Sequence, residues 1–448
     1  MPRPAERTSG SDVADRADAR VAVIGAGKMG LPVACVFASR GATVVACDVD
    51  RRVVEAINRG ESPIDEPGVP DLLREVVRSG TLRATTNTGG GVVESDIVVI
   101  LVPVVVTPSQ TADLETIDAV AAVLADSLQP GSMVIVETTL PIGGTRRLGQ
   151  LVERGGLRLG VDFDLAFSPE RVKSRLVLRN LRLNPKVVGG ITPRSAARAA
   201  DFYATYLGAP VDNVGTLETA EFAKLAGMVY RDVNIALANE LAAYAELHDI
   251  DFDRSRMAAN TDGEAALLSP GIGVGGHCTP VYPYFLIADS ADRGAPARLA
   301  ELGREINRFQ PERALDRMEA TIGPLAGHRV AILGLGFRPG VKEHSNSPTF
   351  ALYEQLRARD AEAVVIDPLY SAEEISALGL NPGDIDGIDI AVLVTGHDAF
   401  TGILPQLAAD GVRLVFDGRG IWSPEDARDA GLIYLRPGMA GGERVVGR

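Results

Sequence analysis

Apolar runs alternate with helical patterns over roughly the first 200 residues. The run VAVI at 21–24 is rich in β-branched residues, and a glycine-rich turn and a stretch with helical apolar spacing separate it from a second run, TVVACD, at 43–48. Further strands are predicted within DIVVILVP at 96–103, SMVIVETTLP at 132–141 and KVVGG at 186–190. Strands that alternate with helices are typical of a parallel sheet, so we predict one parallel α/β domain here.

A second α/β unit is predicted near the C terminus, from apolar runs at 329–337, 361–368, 389–398 and 412–418. Between the two units, Leu217 to about Ile250 runs without proline and with apolar residues at helical spacing. This pattern predicts one long helix, or two nearly continuous ones, that acts as a domain spacer and dimer core. The predicted fold class is therefore α/β, with two Rossmann-like parallel-sheet domains joined by a long central helix.

Composition narrows the class of protein. A hydrophobic content of 46% with 5% aromatics is ordinary for a soluble protein, and no apolar run approaches the ~20 residues of a membrane span. Residues 1–20 have mixed charges and lack the apolar core of a secretion signal, which predicts a disordered tail and a cytoplasmic enzyme. The net charge of −14 argues against a nucleic-acid surface. Three scattered cysteines are too few for a disulfide framework or a Cys-rich zinc site, and no metal site is predicted.

A glycine motif follows the first predicted strand. Gly25, Gly27 and Gly30 match G-x-G-x-x-G, in which the first glycine permits a tight turn, the second lets the backbone approach a pyrophosphate and the third packs helix on strand. Asp48 ends the second strand, where a carboxylate would accept from both ribose hydroxyls, which favours NAD over NADP. Arg51 and its neighbour could still tolerate a 2′-phosphate. The cofactor-binding residues predicted from this region are Gly25, Gly27, Lys28, Met29, Gly30, Asp48 and Arg51.

The stretch GIGVGGHCTPVYPYFL at 271–286 places Cys278 behind a glycine-rich run. Such a loop allows close approach to a substrate, which favours a nucleophilic thiol over a small packing residue. Other distinctive motifs are SPERV at 168–172, AKLAG and NIALANEL on the predicted long helix, and NSP at 346–348.

With these motifs, the sequence from Val21 to about Pro424 resembles the UDP-glucose/GDP-mannose dehydrogenase family, and most closely the branch acting on UDP-N-acetyl-hexosamines. The resemblance implies NAD in the N-terminal domain and a UDP-sugar held mainly by the C-terminal domain. The expected organisation is a tail at 1–20, an NAD-binding Rossmann domain at 21–205, a central helical and dimerisation domain at 206–310, and a nucleotide-sugar-binding Rossmann-like domain at 311–448.

The family reaction oxidises the sugar C6 alcohol twice, through an aldehyde, a cysteine thiohemiacetal and a thioester that water hydrolyses. The resemblance assigns the nucleophile to Cys278, the oxyanion-stabilising ammonium to Lys224 and the proton-handling carboxylate to Glu170. Thr139 matches an active-site threonine that is also expected near the cofactor, although a hydroxyl that caps a strand end explains it almost as well. Expected substrate contacts are Glu170, Arg171, Val172, Lys224, Gly273, Gly275 and Arg338.

Several functional positions depart from the family pattern. The departures are Met228 for asparagine, Tyr282 for aspartate, Arg338, Glu343 and Ser345 for lysine, aspartate and arginine, Glu264 for an arginine that reaches the substrate across subunits, and Val104 for a strand-end threonine. A lost donor to an oxyanion typically costs ~10²–10³ in rate, so we expect altered chemistry. Tyr282 could pair with Lys224 for reversible alcohol–carbonyl redox, or could simply fill space.

Three functions stay open at this point. The first is an NAD-dependent dehydrogenase of a UDP- or GDP-linked sugar, with chemistry altered from the four-electron oxidation. The second is a nucleotide-sugar epimerase that works by transient oxidation with no net redox. The third is a non-catalytic paralogue that binds a nucleotide sugar. We expect a homodimer, with neither a nucleic acid nor a membrane as partner.

Overall fold

The computed structural model describes residues 19–439, which form two compact units. Within the described residues, the first unit comprises 19–104 and 113–222, and the second comprises 105–112 and 223–439. The tail predicted for residues 1–20 lies outside the described residues except for its last two positions, and Arg20 already begins a strand.

The first unit consists of eight strands and eight flanking helices. The strands are β1 (Arg20–Ile24), β2 (Thr43–Cys47), β3 (Leu82–Thr85), β4 (Ile97–Ile100), β5 (Met133–Val136), β6 (Asp164–Phe167), β7 (Lys186–Gly190) and β8 (Val211–Thr216). The helices are α1 (Gly30–Ser39), α2 (Arg51–Asn58), α3 (Val69–Arg78), α4 (Thr88–Val93), α5 (Glu115–Ser127), α6 (Gly144–Val152), α7 (Val177–Leu183) and α8 (Pro193–Tyr206). The strands form one sheet in the order β3-β2-β1-β4-β5-β6-β7-β8.

Both faces of this sheet are covered, which explains the uninterrupted apolar runs of its strands. Along β1, Val21 and Val23 belong to one hydrophobic cluster, whereas Ala22 and Ile24 belong to another. Successive side chains of a strand point to opposite faces, so a strand between two helical layers must be apolar at every position.

One strand pair departs from the parallel arrangement. β7 runs antiparallel to β6, with Phe167 opposite Gly189 and Ala166 opposite Gly190. Antiparallel neighbours can be joined at one edge of the sheet without a crossover, so the connection after β6 stays at the carboxyl end of that strand. As a result Lys186, the first residue of β7, lies at the edge where β5 and β6 end.

The second unit contains most of a long helix and a five-stranded sheet. Its helices are α9 (Leu217–Glu246, which begins in the first unit), α10 (Phe252–Ala259), α11 (Tyr282–Asp292), α12 (Arg298–Ile322), α13 (Pro348–Ala358), α14 (Ala372–Ala377), α15 (Leu404–Ala409) and α16 (Pro424–Asp429). Its strands are β9 (Arg329–Leu333), β10 (Glu362–Ile366), β11 (Ile390–Leu393), β12 (Leu414–Asp417) and β13 (Ile433–Leu435). They pair in the order β10-β9-β11-β12-β13, all parallel, and come from one continuous stretch of chain.

The helix predicted over 217–250 is a single helix, α9, of 30 residues. Its length is about 45 Å at 1.5 Å per residue. It ends at Glu246, before the predicted boundary, and Asp249 follows with a φ of 55°, a left-handed conformation common after helix ends. Among residues 19–439, no helix combines the length and apolar character that crossing a bilayer requires.

Candidate functional site

The glycine turn after β1 has room for a pyrophosphate. Gly25 has a φ of 95°, and a Cβ there would lie 2.5 Å from the Leu101 carbonyl oxygen. A Cβ on Gly30 would lie 1.7 Å from the Gly25 carbonyl oxygen, whereas a Cβ on Gly27 would meet no atom within 4 Å. The first and third glycines are therefore required by the turn itself. The second leaves open space in front of α1, as a bound dinucleotide needs.

Asp48 lies beside this turn at the carboxyl end of β2. Its Oδ2 accepts from the Ala26 N–H and its Oδ1 from the Asp50 N–H, both at 2.9 Å. Arg51 opens α2 three residues later, and its exposed guanidinium pairs with Glu55 at 2.8 Å. The structure thus brings the predicted glycines and Asp48 together, with exposed Lys28 and half-buried Met29 in the same turn.

Thr139 and Glu170 follow β5 and β6 in the same unit. Thr139 is buried, whereas Glu170 is half-buried. The Glu170 Oε2 accepts from Lys186 Nζ at 3.1 Å, and the same ammonium donates to Glu137 Oε2 at 2.7 Å. The hydroxyl of Tyr203 donates to the other oxygen of Glu137 at 2.6 Å. Glu137, Lys186, Tyr203 and Glu170 are called the Glu137 cluster below.

Burial controls the electrostatics of the Glu137 cluster. Removal from water raises the pKa of Glu137 to about 7; Lys186 opposes this rise and the charge of Glu170 adds to it. Burial alone would lower the pKa of Lys186, but the two carboxylates outweigh it and leave that pKa raised. Burial and the nearby carboxylate raise the pKa of Tyr203 far above its ordinary value, so its hydroxyl acts as a neutral donor.

The other two substrate residues predicted in this unit flank Glu170. The exposed side chain of Arg171 donates to the Pro185 carbonyl oxygen. Val172 is half-buried and packs against the hydrophobic core on one face of the sheet. Val104, the departure from the strand-end threonine, packs against the core of the other face.

In the second unit, Cys278 lies in a turn that leads directly into α11. Its thiol-bearing side chain is half-buried, and its carbonyl oxygen accepts from the Val281 N–H at 3.2 Å and the Tyr282 N–H at 2.9 Å. The turn therefore closes the first hydrogen bonds of the helix and fixes the backbone of the cysteine.

The glycines before the cysteine are required by packing. A Cβ on Gly273 would lie 2.9 Å from Pro348, and a Cβ on Gly275 would lie 2.5 Å from Phe337. Gly276 has a φ of 97° and lies against the same aromatic ring. The predicted substrate residues Gly273 and Gly275 have to be glycines because Pro348, at the start of α13, and Phe337, in the loop after β9, lie too close for a side chain.

The cysteine turn is fastened to the segment 343–346 by a set of contacts called the histidine latch here. His277 Nε2 contacts the Glu343 carboxylate and lies 3.0 Å from Ser345 Oγ. The Gly276 N–H donates to the Ser345 carbonyl oxygen at 2.7 Å, and Asn346 Nδ2 donates to the Gly276 carbonyl oxygen at 3.1 Å. Two departures from the family pattern, Glu343 and Ser345, therefore hold the residue next to Cys278.

Lys224 is buried on α9, and its ammonium lies 5.6 Å from the centre of the Tyr282 ring. A cation at this distance from an aromatic face is attracted by the ring quadrupole. Tyr282 also contacts Phe285, with ring centres 5.5 Å apart. Met228 is half-buried one helical turn after Lys224. The structure thus brings Tyr282 close to Lys224, as the tyrosine–lysine hypothesis requires.

Arg338 is half-buried in the loop after β9. This loop begins with a second glycine turn, which contains Gly334 and Gly336. Asp367 accepts from the Leu335 N–H at 2.6 Å and the Gly336 N–H at 3.0 Å, and its Oδ2 lies 3.2 Å from His397 Nε2. Asp367 thus holds the second turn in the way that Asp48 holds the first. Glu264 is exposed, in a loop after α10.

Sequence reasoning missed Glu137, Lys186, Tyr203 and His277. The first two lie at strand ends within otherwise apolar runs, VIVET and PKVVGG, and a charged residue in such a run is the signal that could have found them. Among residues 19–439, no three His, Cys, Asp or Glu side chains come together as a metal site.

Three domain families cover most of the chain. Residues 19–207 match the NAD binding domain of the UDP-glucose/GDP-mannose dehydrogenase family, 218–309 its central domain and 331–424 its UDP binding domain. The chain belongs to this family. The expected resemblance and NAD as cofactor are confirmed, and the glycine turn described above fits NAD. As a member of this family, the protein is an NAD-dependent nucleotide-sugar dehydrogenase.

Full-length relatives of the UDP-glucose/GDP-mannose dehydrogenase family agree with this assignment. The UDP-N-acetyl-D-mannosamine dehydrogenase of Salmonella typhi is 32% identical over 426 residues, covering 90% of this chain and 99% of its own. The NDP-N-acetyl-D-galactosaminuronic acid dehydrogenase of Ralstonia solanacearum is 33% identical, covering 90% and 96%. The solved UDP-D-ManNAc dehydrogenase from Pyrococcus horikoshii matches with a TM-score of 0.84 at 31% identity, covering 94% of this chain and 99% of that one. The predicted fold class is thereby confirmed.

Proposed function

We propose that the protein oxidises a UDP-N-acetyl-hexosamine and releases one NADH and a carbonyl sugar, instead of completing the oxidation to a uronic acid. The substrate class is supported by the names of the relatives, which act on N-acetyl-mannosamine and N-acetyl-galactosamine derivatives. In the proposed step the sugar alcohol loses a hydride to NAD and its hydroxyl proton to a protein base, and a C=O bond forms.

The observation that carries the altered stoichiometry is the contact between Lys224 and the ring of Tyr282, 5.6 Å from ammonium to ring centre. The family pattern has a carboxylate at position 282 and an amide at position 228. A phenol ring and the thioether of Met228 offer neither the amide donor nor the negative charge that would hold a water for thioester hydrolysis. Each lost polar contact of this kind typically costs ~10²–10³ in rate, so the second half of the family reaction is disfavoured.

We assign the remaining roles by the family pattern. Glu170 is the proposed base, Lys224 stabilises the developing alkoxide, and Thr139 and Tyr282 complete the catalytic set. Cys278 is the proposed nucleophile toward an aldehyde. Substrate contacts are proposed for Glu170, Arg171, Val172, Lys224, Gly273, Gly275 and Arg338, and cofactor contacts for Gly25, Gly27, Lys28, Met29, Gly30, Asp48, Arg51 and Thr139.

The test follows NADH by absorbance and the sugar by NMR, with UDP-N-acetyl-D-mannosamine, UDP-N-acetyl-D-galactosamine and GDP-mannose as probes. We expect one NADH per sugar and a carbonyl product. Two NADH and a uronic acid at ordinary rates would restore the plain family reaction. An inverted stereocentre without NADH would show the epimerase, and binding without turnover would show the non-catalytic paralogue.

A paired substitution sharpens this test. The double variant Met228→Asn with Tyr282→Asp returns both positions to the family pattern, so we expect it to release a second NADH and form the acid. Adding Cys278→Ser to that variant removes the thiol and should stop the reaction again after one hydride. A double variant that folds, oxidises the sugar once and forms no acid would contradict the role given to the two departures.

We also propose a homodimer formed through α9. Three large apolar or aromatic side chains recur every seven residues on this helix, and they are 61%, 41% and 61% exposed: Tyr230, Leu237 and Tyr244. We expect this row of side chains to form the contact between two paired α9 helices. Light scattering should find a dimer for the wild type and a monomer for Leu237→Glu. A wild-type monomer at micromolar concentration would remove the proposal.

We propose a reducing compartment such as the cytoplasm as the location, because Cys35, Cys47 and Cys278 are all free thiols. Imaging of the native host with a C-terminal fluorescent fusion would test this. A signal confined to the cell envelope would contradict it.

A further inference from the structure

Two members of the Glu137 cluster, Glu137 and Lys186, are buried too deeply to contact a substrate. Lys186 contacts both Glu137 and Glu170. The Glu137 side chain is 0% exposed and that of Lys186 is 6% exposed, whereas that of Glu170 is 14% exposed. The chain of contacts therefore begins in the closed interior and ends at the one member that reaches the surface. Any effect of Glu137 or Lys186 on a reaction must pass through Glu170.

A purely structural role explains this arrangement poorly. A buried ion pair needs one carboxylate for one ammonium, yet Lys186 Nζ donates to two carboxylates, at 2.7 Å and 3.1 Å. A second buried negative charge adds a desolvation cost without a second cation to offset it. The raised pKa of Glu137, about 7, reflects that cost.

We propose that Lys186 and Glu137 are positioning residues that set the orientation and charge of Glu170. This inference rests on the role proposed for Glu170 as the base. The Lys186 ammonium holds Glu170 Oε2 in one place and favours its ionised form. Above about pH 7, where Glu137 is ionised, it also draws the ammonium inward.

The two contacts act on Glu170 in different pH ranges, which gives the inference a distinctive pH signature. Removing the ammonium favours protonated Glu170, so a reaction that needs the carboxylate would lose activity at a higher pH than in the wild type. Glu137 holds its proton in that acidic range, because its pKa is raised to about 7, so replacing it with glutamine would leave the loss at the wild-type pH. Apart from Lys186 and Glu170, the titratable side chain that faces Glu137 is Tyr203, which stays neutral.

The experiment measures kcat/KM against pH for NAD reduction with UDP-N-acetyl-D-mannosamine in Lys186→Met and Glu137→Gln. We expect the acid limb of the profile to move up in the first variant and to stay in place in the second. We also expect kcat to fall about 10²-fold in Lys186→Met. Lys186→Arg should restore the wild-type limb, and the KM for NAD should stay within about twofold throughout. An acid limb that stays in place in Lys186→Met, or that moves equally in both variants, overturns the inference.

A second measurement separates this inference from the proposed function. Protein labelled with 13C at the glutamate carboxyl carbons is titrated by NMR without substrate, and the Glu170 signal is assigned as the one missing in Glu170→Gln. The signal should titrate at higher pH in Lys186→Met and at the wild-type pH in Glu137→Gln. If no sugar is oxidised even by the wild type, the proposed function fails, while this titration still decides the inference. Should Lys186→Met not fold, Lys186→Gln also removes the ammonium and carries the test.

Discussion

Substituting Gly30 by alanine tests whether the third glycine of the motif is needed by the turn. The added Cβ would lie 1.7 Å from the Gly25 carbonyl oxygen, whereas real Cβ contacts essentially never fall below 3.0 Å. The turn must therefore open by at least about 1.3 Å. Overpacking of this kind typically costs about 1–3 kcal/mol, or about 2 to 12 °C in Tm for a unit of this size.

The displaced turn also carries the N–H groups that would face the pyrophosphate. A hydrogen bond to a charged group is worth about 1.5–3 kcal/mol, so we expect its loss to weaken NAD binding about 10- to 10²-fold by calorimetry. Gly27→Ala is the matched control, because its Cβ meets nothing within 4 Å in the protein itself. It should lose NAD affinity while keeping the wild-type Tm. Gly30→Ala with unchanged Tm and Kd would refute the steric reasoning.

Three further predictions concern other parts of the structure. Glu343→Ala breaks the histidine latch and should speed the alkylation of Cys278 by iodoacetamide several-fold, as followed by mass spectrometry. Glu343→Gln should change this rate little. Equal rates in the two variants would show that the latch does not hold the cysteine turn. Burial raises the pKa of Glu137 from 4.5 to about 7, so the folded state keeps a proton that the unfolded state loses. In urea unfolding, the wild type should therefore lose stability relative to Glu137→Gln as the pH rises from 4.5 to about 7, and a constant difference would contradict the shift. Asp367→Ala leaves the second glycine turn unsupported and should weaken UDP binding about tenfold by calorimetry, a result that unchanged affinity would exclude.

Most strands with continuous apolar runs were predictable, whereas short or partly polar strands were not, and β10 was predicted although it lies at a sheet edge. All nine predicted runs contain an observed strand, because helical layers on both sides demand apolar residues throughout. The unpredicted strands β3, β8 and β13 lie at sheet edges, and LRAT and VDNVGT mix polar and apolar positions as half-exposed strands do. The fourth, β6, is only four residues long and begins with Asp164.

The parts of the site that are formed by residues close together in the chain could also be predicted from the sequence. The spacing of the glycines and Asp48 follows from one strand, one turn and one helix, so a short motif specifies it. The contact between Glu137 and Lys186 spans 49 residues and exists because β7 is reversed. In a wholly parallel sheet Lys186 would begin its strand at the opposite edge, and apolar periodicity carries no information about that direction.

The second sheet has a consequence for how this protein can change over evolution. Its five strands follow one another in the chain from residue 329 to 435 without a strand of the first sheet between them. Two recombination points, one on each side of this segment, would exchange the whole sheet with that of a relative and leave the glycine turn of β1 untouched. Because residues 331–424 match the UDP binding domain of the family, such an exchange could change the preference for the nucleotide of the sugar without changing the cofactor domain.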